Sequence, residues 1–98
     1  MGLFDFLRPK RQRALYTGGD GTSVETAVVI NAPNTSFGVH AEYQYITSKH
    51  GPKGTGWTLE SQALMARDGK HFDVLKIKIG TEELRTYFFD ITEFWGKF

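Results

Sequence analysis

The alternation of apolar and polar positions is clearest in the last third of the chain, where it predicts three consecutive strands. These strands cover residues 57–66, 72–79 and 84–91. Asp68-Gly69, between the first two, suits a two-residue hairpin in which both central residues have positive φ. Gly80 marks a second turn. Because three antiparallel strands with one apolar face need a cover, we expect another element to pack on that face.

The second and third of these strands differ in their pattern. In residues 72–79, Leu75, Ile77 and Ile79 alternate with lysines, which predicts one buried face and one solvated face. In residues 84–91, both faces carry bulky side chains. We therefore expect the third strand to be central or covered on both sides.

A helix is predicted ahead of the three strands, and it supplies the cover. It begins at a capping Thr35 or Ser36 and continues to His50. Gly51-Pro52 ends it, because glycine accepts a left-handed backbone and proline cannot continue a helix. One apolar stripe can face the sheet, formed by Val39, Tyr43 and Ile46.

A β-branched run at residues 27–30 predicts one further strand before the helix. The order is therefore β-α-β-β-β. It predicts an α+β fold with one helix packed on a four-stranded antiparallel sheet, cystatin-like by analogy. A glycine-rich loop at residues 17–22 separates a predicted N-terminal arm, residues 1–16, from a single domain at residues 17–98.

Composition excludes several classes of site. The 98 residues contain no cysteine, which removes disulfides, thiolate metal sites and cysteine nucleophiles. No apolar run approaches the roughly 18–20 residues of a membrane span, and the first apolar patch is too short for a secretory signal. We expect a cytoplasmic protein.

Charge is distributed unevenly between the arm and the domain. Residues 1–16 hold four basic and one acidic side chain, net +3, and the remaining residues hold eight basic and ten acidic, net −2. An apolar turn followed by a basic cluster is typical of a segment that docks on an anionic membrane surface or on a partner. The residues predicted for this docking are Leu3, Phe4, Leu7, Arg8, Lys10, Arg11 and Arg13. Because the domain itself is mildly acidic, nucleic-acid binding is not expected.

Two segments carry a resemblance to known proteins. Residues 18–30, Gly-Gly-Asp-Gly-Thr-Ser-Val-Glu-Thr-Ala-Val-Val-Ile, and residues 86–91, Thr-Tyr-Phe-Phe-Asp-Ile, followed by Phe94 and Gly96, resemble the entry motif and the ending of a family of small uncharacterised bacterial proteins. The resemblance spans residues 16–96. It implies a bacterial source and a compact domain, and it supplies no catalytic residues.

Candidate chemistry is sparse. The three histidines lack the spacing of a metal site, and no cofactor motif is present. Four carboxylates could supply a pair, namely Glu42, Glu60, Asp73 and Asp90, although the sequence alone brings none of them together. If a pocket exists between helix and sheet, its polar groups are predicted to be Tyr43, Tyr45, Asp73 and Asp90.

The function that these patterns favour is a non-enzymatic protein-interaction module, peripheral to the membrane through its arm. Trp57, flanked by a flexible glycine-rich connector, is predicted to lie on the partner surface. An uncovered sheet edge would also permit a homodimer. The alternative is a small ligand-binding domain or enzyme with its pocket between helix and sheet.

Overall fold

The computed structural model describes residues 14–98, which form one helix and five strands. The elements, in chain order, are β1 (Tyr16–Gly18), β2 (Val28–Ile30), α1 (Thr35–His50), β3 (Thr58–Arg67), β4 (Lys70–Ile79) and β5 (Glu83–Asp90). The α+β class predicted from the sequence is confirmed. The predicted docking residues of the arm, Leu3 to Arg13, lie outside the described residues.

The sheet corrects the four-stranded antiparallel prediction. It has five strands in the order β1-β2-β5-β4-β3 and is mixed, because β2 pairs parallel to β5. The two hairpins make β3 and β5 point the same way, and α1 returns the chain so that β3 starts in the direction of β2. β2 and β5 are therefore parallel where they meet. The extra strand, β1, pairs antiparallel with β2 and begins at Tyr16, so part of the predicted glycine-rich loop belongs to the sheet.

The loop between β1 and β2 packs as part of the domain. The Gly21 N–H donates to the carbonyl of Thr26, and the Gly21 carbonyl accepts from the Phe88 N–H of β5 at 2.8 Å. Gly21 has φ +87°, and a Cβ there would contact Val28 and Tyr87. Glycine is therefore required at this position by both its backbone conformation and its surroundings.

Helix α1 has the predicted length, but its cap and its buried face differ from the prediction. Asn34 is the N-cap, and its side chain accepts from the Phe37 N–H at 3.1 Å. Gly51 ends the helix with φ +93°. The buried positions of the helix are Gly38, Ala41, Glu42 and Ile46. The stripe is thus rotated from the predicted one, and Val39 and Tyr43 are only half-buried on its flank.

The meander of β3, β4 and β5 matches the prediction closely. Asp68 and Gly69 have φ values of +53° and +77°, as a type I′ turn requires. β4 pairs with both neighbours along its length. Leu75 and Ile77 are fully buried, and Lys76 between them is exposed, so the alternation predicted for this strand is confirmed.

The core lies between α1 and the sheet, and it includes Trp57. The predicted partner-facing role of this tryptophan is wrong, because its side chain is 1% exposed. Its ring packs edge-on against Tyr43 with centroids 5.7 Å apart, and its Nε1 donates to Thr47 Oγ1 at 3.3 Å. The connector before Trp57 folds against the helix end, so this aromatic side chain enters the core directly after it.

The chain end folds back across the start of α1. Phe94 is 2% exposed and fills the space in front of Gly38, where any Cβ would collide with its ring. The Lys97 carbonyl accepts from both the N–H and the hydroxyl of Thr35 at 2.7 Å. Phe94 therefore closes the core at the start of the helix, whereas Trp95 stays partly exposed.

Candidate functional site

Two acidic side chains meet in the interior between α1 and β4. Glu42 projects from the buried face of the helix and is 0% exposed, and Asp73 lies on β4 and is 3% exposed. Burial is the main reason that the pKa of Glu42 rises from 4.5 to about 10, and a hydrogen bond to Asp73 and the charge of Asp73 add to it. Glu42 is therefore protonated at neutral pH.

Protonation also gives Glu42 a hydrogen bond to donate within this pair. Neither carboxyl oxygen of Glu42 has a donor among the described residues, so an ionised Glu42 would be buried without compensation. As a neutral acid it donates to Asp73. The carboxylate of Asp73 also accepts two bonds from Gln62 Nε2, at 2.9 Å and 2.7 Å. The three side chains form one network across α1, β4 and β3.

The other predicted pocket residues are divided between three places. Tyr43 stays near the pair, and burial followed by the charges of Glu42 and Asp73 raises its pKa. Tyr45 lies on the opposite flank of α1, where its ring contacts Tyr16, Tyr87 and Phe89. The structure therefore places Tyr43 near Asp73 and Tyr45 away from it.

Asp90 is also separate from Asp73, because the two side chains lie on opposite faces of the sheet. Asp73 is directly opposite Phe89, and Asp90 is opposite Phe72. Asp90 Oδ1 accepts from the N–H and the hydroxyl of Thr92, at 3.0 Å and 2.6 Å. It caps the end of β5 and takes no part in the buried pair.

Strand β3 is the second unusual feature, because it is exposed along nearly its whole length. Only Leu59 and Met65 are half-buried in this strand of ten residues. Leu64 lies opposite Asp73 and therefore points to the helix side of the sheet. It is nevertheless 62% exposed. The sheet thus extends beyond the area that α1 covers.

The outer edge of β3 has unpaired backbone groups. β4 is the only described strand that pairs with it. Arg67 and Lys70 flank the two-residue turn, so they exchange backbone hydrogen bonds with each other, and alternate residues back along β3 do the same with β4. The backbone groups that point to the free edge are therefore those of Ala66, Leu64 and Gln62.

This edge lacks most of the devices that usually block strand addition. Residues 61–66 contain no charged residue and no proline, whereas exposed edges are commonly protected by lysine, proline or inward-pointing charges. A β-bulge interrupts the register between Leu59 and Ser61, at the far end of the strand. The six residues beyond the bulge form an uninterrupted, uncharged edge.

Other candidate sites are weaker. An open depression of about 230 Å³ lies on the face of the sheet away from α1, lined by Val24, Glu25, Arg67, Asp68, Lys70 and Phe72. Its cations are already near anions, with Arg67 3.1 Å from Glu25 and Lys70 4.0 Å from Asp90. Within residues 14–98, no group of three or more His, Cys, Asp or Glu side chains could hold a metal ion. No helix in that range is long and apolar enough to cross a membrane.

No protein-family model, curated protein or solved structure matches the chain, so no relative supplies a function or a set of site residues. The resemblance to a family of small bacterial proteins stays a prediction.

Sequence reasoning identified Glu42 and Asp73 as two of four candidate carboxylates but did not bring them together. A signal for Glu42 exists in the sequence. Ala41, Glu42, Tyr45 and Ile46 follow the i, i+1, i+4, i+5 pattern of one helix face. A glutamate on a helix face of this kind is predicted to be buried. The sequence could not identify Asp73 on β4 as its partner, because the local pattern does not show how the helix lies across the sheet.

Proposed function

We propose that this domain is a non-enzymatic protein-interaction module that binds its partner by adding a strand to the free edge of β3. The observation that carries the proposal is the uncharged, unpaired edge of residues 61–66. Strand addition uses backbone hydrogen bonds for affinity and neighbouring side chains for specificity. The exposed N–H and C=O groups of Gln62, Leu64 and Ala66 supply the backbone hydrogen bonds.

The helix-side surface of β3 supports the same function. Leu64 is a large apolar side chain that neither α1 nor any other described element covers. An added strand would extend the sheet past Leu64 and place its own side chains beside it. Apolar contact area next to a row of backbone hydrogen bonds is the combination that such complexes use.

A photo-crosslinking amino acid at Ala66 of the full chain tests this proposal in cells. We expect a discrete crosslinked adduct from Ala66, because its backbone faces the free edge. The matched control places the same group at Glu82, in the turn between β4 and β5, where we expect no adduct. The adduct from Ala66 should disappear when Leu64→Lys is combined with it.

If Ala66 and Glu82 give the same adducts, or if Leu64→Lys leaves the Ala66 adduct unchanged, the edge of β3 is not the binding surface.

The alternative function is a small ligand-binding domain or enzyme that uses the space between helix and sheet. The buried Glu42–Asp73 pair favours it, because paired carboxyls with a strongly raised pKa are typical of acid–base sites. The two side chains are 0% and 3% exposed, so a ligand would first have to displace the Gln62 amide from Asp73. NMR chemical-shift mapping against a library of small metabolites tests this function. Perturbations centred on Asp73 and Gln62 would support it, and their absence would count against it.

The arm adds a second part to the proposal, namely peripheral membrane attachment through Leu3, Phe4, Leu7 and the basic cluster that follows. Each basic residue near an anionic surface contributes about 1 kcal/mol. Co-sedimentation with vesicles of phosphatidylserine and phosphatidylcholine tests it. We expect the full chain to bind and a variant with Arg8, Lys10, Arg11 and Arg13 changed to Gln to stay in the supernatant. Equal recovery of both would remove the membrane role.

A further inference from the structure

We infer that the strand added to β3 is β3 of a second copy of this chain, paired antiparallel about a two-fold axis that passes between the two Leu64 residues. The inference rests on the proposed function and names its partner. The alternation of backbone groups along β3 decides which registers the free edge can accept.

The backbone of the edge limits the registers. In an antiparallel pair, residues that exchange hydrogen bonds must both direct their N–H and C=O groups to the shared edge. On β3 these residues are Gln62, Leu64 and Ala66, as the turn at Asp68-Gly69 requires. The register that uses all three on both chains pairs Leu64 with Leu64 of the second copy and Gln62 with Ala66. It forms about six backbone hydrogen bonds.

Side chains are complementary in this register. On the helix side, the two exposed Leu64 side chains meet at the axis and cover each other. On the opposite face, Ala63 lies beside Met65 of the second copy, a small residue next to a long one. No large side chain is brought against another large side chain except at the axis, where both are exposed in the monomer.

Charge favours the antiparallel arrangement over the parallel one. Glu60 lies near one end of β3, and Arg67 is its last residue. Antiparallel pairing places Arg67 opposite Ser61 of the second copy and next to its Glu60, and symmetry makes the contact twice. Parallel pairing would place Arg67 beside Arg67 and Glu60 beside Glu60. Opposite charges across neighbouring strands are stabilising, and like charges are destabilising.

The contact is small, since it consists of one strand from each copy and the side chains beside it. Interfaces below the standard size are typical of weak or transient association. We therefore expect a reversible dimer whose population depends on protein concentration, not a permanent one.

Sedimentation velocity of the full chain over about 10 µM to 1 mM measures this equilibrium. We expect the weight-average mass to rise from that of the 11.1 kDa monomer toward twice that value. Leu64→Lys places two like charges at the axis and should raise the dissociation constant at least about tenfold. The control is Leu84→Lys on β5, which changes a residue that is 53% exposed and two strands away from β3, and it should leave the constant unchanged.

A disulfide test checks the register. The chain has no cysteine, so Leu64→Cys introduces a single thiol that should meet its copy at the axis. Directly opposed residues have Cα atoms about 5 Å apart, within reach of a disulfide. Mild oxidation should give a covalent dimer from Leu64→Cys and much less from Leu84→Cys.

Each outcome decides between the inference and the proposed function. A full chain that stays monomeric at 1 mM, or a dimer that Leu64→Lys does not weaken, overturns the inference. If the chain stays monomeric while the Ala66 crosslink captures another protein and Leu64→Lys abolishes that adduct, the proposed function stands and the second copy is not the partner. If the chain dimerises with equal crosslinking from Leu64→Cys and Leu84→Cys, the inference fails, and the proposed function fails with it only if the Ala66 and Glu82 probes also give the same adducts.

Discussion

Strands β3 and β4 are both ten residues long and are paired along their whole length, yet they differ in almost every other respect. β4 lies between two strands and under the helix, and Leu75 and Ile77 on it are 0% exposed. β3 has one neighbour, and its Leu64 is 62% exposed. The fold thus depends on the side chains of β4, whereas β3 is held mainly by its backbone ladder and is free to serve another role.

The largest expected difference between the two strands is in the stability lost when one leucine is removed from each. Leu75→Ala deletes buried methyl groups and leaves a cavity, so it should lower the free energy of unfolding by about 2–5 kcal/mol. Leu64→Ala removes an exposed side chain and should change stability by less than about 0.5 kcal/mol. Urea unfolding of both variants, followed by tryptophan fluorescence, measures the difference. Equal losses would mean that the monomer covers Leu64.

The second prediction concerns Glu42, the carboxylic acid that α1 places over β4. Between pH 4.5 and 10 the folded chain holds a proton on Glu42 that the unfolded chain releases, so raising the pH favours unfolding. This contribution to stability is complete below pH 4.5 and is lost as the pH rises toward about 10. The slope is at most about 1.4 kcal/mol per pH unit. Glu42→Gln keeps a donor for Asp73 and cannot ionise, so it should remove this slope.

Urea unfolding at pH 5, 7 and 9 checks this linkage, with stabilities compared at each pH. The free energy of unfolding of Glu42→Gln should increase relative to that of the unaltered chain as the pH rises, by about 1 kcal/mol or more between pH 5 and pH 7. Glu82→Gln is the matched control, because it removes an exposed carboxyl in the turn between β4 and β5. Parallel stability curves for Glu42→Gln and the unaltered chain would show that Glu42 is ionised in the fold.

The sequence was sufficient for features that depend on neighbouring residues. The Asp68-Gly69 turn, the end of α1 at Gly51 and the alternation of β4 each follow from local conformational preference, and each was predicted correctly. The burial of Trp57 was missed, because the composition of the glycine-rich connector does not show whether the residue after it lies in the core or on the surface. The parallel pairing of β2 with β5 was also missed, since it depends on the direction in which the chain enters β3 after α1.

The buried carboxyl pair shows the same limit within the site itself. The exposure of β3 and the contact between Glu42 and Asp73 both arise from where the helix lies across the sheet. Gly38 determines part of that position, because only glycine leaves room for Phe94 beneath the helix. Gly38 thus helps to set the contact between Glu42 and Asp73. The spacing of residues along the helix does not predict this effect.

The smallest predicted effect joins the two strands through Gln62, the residue of β3 whose amide donates to Asp73. Gln62→Ala removes both bonds that its amide donates to Asp73, at 2.9 Å and 2.7 Å. Hydrogen bonds to charged groups contribute about 1.5–3 kcal/mol when shielded from water, and the exposed position of Gln62 lets water replace the amide. We therefore expect a loss of about 1 kcal/mol at pH 7, measured by urea unfolding. Gln44→Ala, an exposed glutamine on α1, should lose less. An unchanged stability in Gln62→Ala would mean that β3 and the Glu42–Asp73 pair are energetically independent, and that strand addition at the free edge leaves the buried proton undisturbed.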